Sequence, residues 1–108
     1  MIDEDLVDAL TTDLIAALAR QEVAEGLERR AALALAEAEE AAEDTPGDER
    51  VRTARDRAER AWDDAIARLR TAQATREEIE AEVRLIEPDA VRIAHVRHAF
   101  VRNARAGG

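Results

Sequence analysis

Only two prolines interrupt this chain, Pro46 and Pro88, and they divide it into three stretches in which almost nothing opposes a helix. Proline lacks a backbone donor and clashes with the preceding turn, so a run without it can remain helical throughout. Alanine supplies half of the apolar residues, and Ala, Leu, Arg and Glu, which dominate the sequence, are the strongest helix formers. The chain therefore reads as all-α. The expected architecture is a long antiparallel two-helix hairpin of coiled-coil character, residues 1–87, followed by a shorter basic amphipathic helix with a glycine tail, residues 88–108.

The first helix is expected from about Asp3 to Glu43. Leu6, Leu10, Leu14, Ala17, Ala24, Leu27, Ala31, Leu35, Ala38 and Ala42 follow one stripe, with Gln21 in its single polar slot. That spacing is the period of a straight amphipathic helix. The second helix is expected over about residues 47–87. Ala58, Trp62, Ala65, Leu69, Ala72, Arg76, Ile79, Val83 and Ile86 alternate steps of four and three, a heptad seam with one polar interruption, Arg76. Leu10, Leu14, Leu27, Leu35, Trp62, Leu69, Ile79 and Val83 are the candidate seam residues. Between the helices, Thr45-Pro46-Gly47-Asp48 reads as a capping box with proline at the first helical position.

A hairpin folded about Pro46 would set residue i opposite roughly residue 92−i. Glu37, Glu39, Glu40 and Glu43 would then lie along Arg50, Arg52, Arg55 and Arg57. The same register brings Gly26 near the residues facing Trp62, which suggests a gap for the indole. At Glu87-Pro88-Asp89 the sequence leaves two outcomes open, a kink in one helix or the start of another.

Core material is thin, because Trp62 and Phe100 are the only aromatics and alanine buries little area. Association with copies of itself or with a partner is the expected remedy. No stretch approaches the roughly 18 consecutive apolar residues of a membrane span. The chain opens on acids rather than on a basic and apolar leader, and a cytoplasmic location, or one within an assembly formed in the cytoplasm, is the expectation. There is no Cys, Ser, Lys or Tyr. The usual catalytic nucleophiles and thiolate metal ligands are thus missing. No enzyme, no cofactor and no small-molecule substrate is expected.

The net charge of −9 is unevenly spread. Residues 1–48 carry −11, residues 49–86 are neutral and residues 87–108 carry +2. Asp3, Glu4, Asp5 and Asp8 form an acidic face at the start, where they suit the positive end of the helix dipole. The opposite extreme is the segment HVRHAFVRNAR, residues 95–105. Over the whole stretch beyond Asp89, Ala90, Ile93, Val96, Phe100 and Ala104 form an apolar stripe, and Arg92, His95, His98, Arg102 and Arg105 a cationic one.

Three chemistries compete for that segment. A metal site needs three or four ligands, and two histidines with neighbouring arginines do not supply them. Nucleic-acid binding has the arginines in its favour and the net charge against it. Docking onto acidic protein uses both stripes, and is the preferred reading, with Arg92, Ile93, Val96, Arg97, Phe100, Arg102 and Arg105 as the contact set. The segment could fold back on its own acidic N-terminus or reach that of a neighbour, burying Ile93 and Phe100.

In composition the chain resembles bacteriophage scaffolding or accessory virion proteins and adaptor subunits of bacterial machines. The likeness implies a structural role in a larger assembly and transfers no individual residue. The expected function is thus a non-catalytic assembly protein acting through protein–protein contacts. The alternatives are a small nucleic-acid-binding regulator and an acidic antitoxin-type inhibitor of a basic protein.

Overall fold

The computed structural model describes residues 3–107, which form three helices and, among the described residues, no strand. They are α1 (Glu4–Asp44), α2 (Glu49–Ile86) and α3 (Pro88–Gly107). Among the described residues no helix is long and apolar enough to cross a membrane.

Each helix begins on a carboxylate. The Asp5 amide donates to Asp3 Oδ1 at 3.0 Å, the Arg50 amide to Asp48 Oδ1 at 2.9 Å and the Asp89 amide to Glu87 Oε1 at 3.1 Å. A carboxylate there satisfies an orphan donor and meets the positive end of the dipole. The cap of α2 is therefore Asp48, not Thr45, and Pro46 lies in the turn rather than at the first helical position. The reason is Gly47, whose φ of 91° reverses the chain one residue before the helix can start. At the second junction Pro88 starts a new helix. Glu87 is the single non-helical residue between α2 and α3.

The chain divides into two compact units that do not follow the helix boundaries. One comprises α1 up to Glu22, α2 from Ala72 onward and α3; the other is Val23–Thr71. In the first unit Leu14, Val83, Ala90, Val91 and Ala94 form the core, with Val7, Leu10, Ile15, Leu18 and Ile79 packed against it. Contacts there run in opposite order along α1 and α2: Leu14 meets Val83 in the core, and Gln21 meets Arg76. Gln21 thus pairs further along α2 than Thr71, its expected partner. Thr11 is buried too, and its hydroxyl donates to the Val7 carbonyl at 2.7 Å.

In the second unit the buried residues are Ala24 and Ala65. The half-buried Trp62 donates its indole N–H to Glu28 Oε1 at 3.1 Å. Gly26 makes no gap for that indole, since a Cβ built there would meet only Arg30, at 3.9 Å. The ladder of Glu37, Glu39, Glu40 and Glu43 with Arg50, Arg52, Arg55 and Arg57 does not form. Arg55 shares a shallow groove with Glu39 and Glu43, yet its ion pair is with its neighbour Asp56, at 3.5 Å. Exposed pairs of this kind contribute about 0–1 kcal/mol, too little to impose a register.

Candidate interaction surface

The polar slots of the two apolar stripes meet each other. Arg76 of α2 donates from Nε to Gln21 Oε1 at 2.9 Å and from Nη1 to Glu80 Oε2 at 3.1 Å. Glu80 lies one turn beyond Arg76 on the same face, and its other oxygen accepts from His95 Nε2 of α3 at 2.6 Å. Arg84 adds a longer contact to Glu80, at 3.8 Å. The side chains of Arg76 and Glu80 are only 20% and 14% exposed. The hydrogen bond from His95 holds the Glu80 carboxyl below its ordinary value. Partial burial opposes this, and the Arg76, His95 and Arg84 charges assist it.

A second histidine contact fixes α3 to α1. His98 Nε2 lies 2.8 Å from Glu22 Oε2. The two imidazoles, three residues apart, therefore point to different carboxylates on different helices. They do not converge on a common centre, and no group of three potential ligands occurs among the described residues. No signal in the sequence linked Glu80 and Glu22 to the histidines, because the partners are contributed by separate helices.

These contacts set which side of α3 faces inward. Ala90 and Ala94 are fully buried, Val91 is buried beside them, and His98 continues the same side one turn later. The apolar stripe of Ile93, Val96 and Phe100 lies on the other side. Ile93 sits at the margin of exposure, Val96 is 62% exposed and Phe100 is 75% exposed. Folding back onto α1 thus buries small residues in place of Ile93 and Phe100. The physical reason is proximity: α3 turns back after one residue, and Ala90 and Ala94 allow the close approach to Leu14 and Val83 that larger side chains would prevent.

Arg92, Arg97, Arg102 and Arg105 are all exposed. Among the described residues none of them has a carboxylate within ion-pair distance. Asp3, Glu4, Asp5 and Asp8 are likewise exposed and unpaired with any cation, although Asp3 caps α1. Of the seam residues, Leu14 and Val83 are buried; Leu10, Leu35, Trp62, Leu69 and Ile79 are half-buried; Leu27 is just exposed. The chain matches no protein-family model, no curated protein and no solved structure.

Proposed function

We propose that this chain is a non-catalytic assembly protein that binds protein through the outward side of α3. The observation that carries this reading is the exposure of Phe100 and Val96 on a helix whose opposite side buries Ala90, Val91 and Ala94. An exposed apolar strip edged by Arg92 and Arg97 has the composition of an interface centre, in which aromatic residues and arginine are enriched. The arginines favour an acidic partner surface. α1 and α2 are read as a coiled-coil-like pair. The second unit buries little beyond alanine and leaves Val23 and Leu33 exposed, which favours additional helices packed against it in an assembly.

The test is a photo-crosslinking phenylalanine derivative placed at Phe100, with the same group at exposed Glu59 of α2 as the control. In cells making the protein, position 100 should give discrete protein adducts and position 59 should not. Adducts to nucleic acid at position 100, or no adduct there, would contradict the reading.

A further inference from the structure

We infer that the surface covering α3 is the acidic end of a second copy of this chain, bound reciprocally about a two-fold axis. This rests on the reading of α3 as the interaction helix and names its partner.

The first ground is that the chain's own charges cannot meet. Within the first unit α3 runs in the same direction as α1, since its early residues pack at Leu14 and His98 reaches Glu22. Arg102 and Arg105 lie beyond the level of Glu22. Asp8 lies about 21 Å back along α1 from Glu22, at roughly 1.5 Å per residue. Arg97, Arg102 and Arg105 toward one end of the unit and four acids at the other are thus both left without counter-charges by the fold that positions them.

The second ground is that the acidic end has apolar surface of its own. Where α1 begins and α2 ends, Leu6 and Ile86 are nearly half exposed and Leu85 is 87% exposed. That end therefore offers what the α3 strip lacks, carboxylates for the arginines and aliphatic side chains for Val96 and Phe100.

Symmetry joins the two grounds. A two-fold axis across the unit lays the arginine end of each copy on the acid end of the other, so that one contact forms twice. The net charge of −9 on each copy opposes association. Charges further apart than the Debye length, about 10 Å at 0.1 M salt, are largely screened, so the facing patches decide the outcome.

Light-scattering mass measures this directly on the full chain. The unaltered protein should weigh twice its 11.9 kDa chain mass. Charge reversal at the acid end (Glu4→Arg, Asp5→Arg, Asp8→Arg) should halve that mass. So should reversal at the basic end (Arg97→Glu, Arg102→Glu, Arg105→Glu). Mixed in equal amounts, the two variants should return to the doubled mass, because each then presents what the other needs. A single-chain mass for the unaltered protein up to its solubility limit overturns the proposal. So does a mixture of helical variants that stays at single-chain mass. If Phe100 still crosslinks to a different protein in either case, the interaction role of α3 stands and self-recognition alone is lost.

Discussion

Arg76 and Gln21, the one polar residue in each of two apolar stripes, hydrogen-bond to each other at 2.9 Å across α1 and α2. Neither side chain interrupts the packing alone, because each supplies the partner that the other needs.

Removing one of them should cost more than removing both. Arg76→Ala leaves Gln21 and the largely buried Glu80 short of a donor, and a hydrogen bond to a charged group contributes about 1.5–3 kcal/mol. The double change Gln21→Leu, Arg76→Leu continues both apolar stripes and leaves Glu80 with His95 and Arg84. Urea unfolding followed by circular dichroism should place the double variant closer to the unaltered protein than Arg76→Ala.

Glu80 should govern part of the acid limb of stability. Its carboxyl is held below 4.5 in the folded chain, chiefly by the hydrogen bond from His95. The lowered value means that the folded state binds a proton less readily than the unfolded one. The resulting stabilisation is complete above the ordinary carboxylate range, and it is lost as pH falls through the folded value. Glu80→Gln should therefore lower stability near neutrality and flatten its decline below pH 4.5. Urea midpoints over a pH series check this; an unchanged acid slope contradicts it.

Gly26→Ala should stabilise the chain. A Cβ there meets only Arg30 Nη2, at ordinary contact distance, and alanine is favoured over glycine inside a helix by about 1 kcal/mol. Trp62 is the single tryptophan and belongs to the same unit, so its fluorescence reports the transition there. A raised midpoint is expected. A lowered one would mean that the position needs the missing side chain.

The helices were legible because their stops are chemical. Pro46 with Gly47, and then Pro88, end runs of strong helix formers, and the observed boundaries fall close to those read from the sequence. The stripes likewise pointed to Leu14 and Val83, now buried, and to Gln21 and Arg76 as polar exceptions. What periodicity could not supply was the pairing of those exceptions. The register counted from the loop was off by five residues in this unit, for the Leu14 and Val83 core as much as for Gln21 and Arg76.

The orientation of α3 was illegible for a different reason. Hydropathy ranks Ile93 and Phe100 above Ala90 and Ala94, yet a helix returning after one residue is held by whichever side approaches most closely. Small residues win that contest, and the histidines on the same side gain carboxylates from α1 and α2. The larger apolar residues are left outside, and the candidate surface arises from that inversion.

The inversion also changes how α3 can be studied. Deleting residues 88–108 removes Ala90, Val91 and Ala94 from the core along with the exposed strip. Such a truncation should lose thermal cooperativity as well as any association, so point changes are the cleaner probe. A truncated chain that melts as sharply and as late as the intact one would contradict the core role of α3.

The most direct measurement compares Ala94→Asp with Phe100→Asp by thermal unfolding, at a concentration where light scattering finds single chains. A carboxylate at the fully buried position 94 has no partner there and should cost at least about 3 kcal/mol. The same change at position 100 should stay within about 0.5 kcal/mol, as at other exposed sites. If Phe100→Asp proves the more damaging of the two, α3 packs through its aromatic side, and the outward strip assigned to partner binding does not exist.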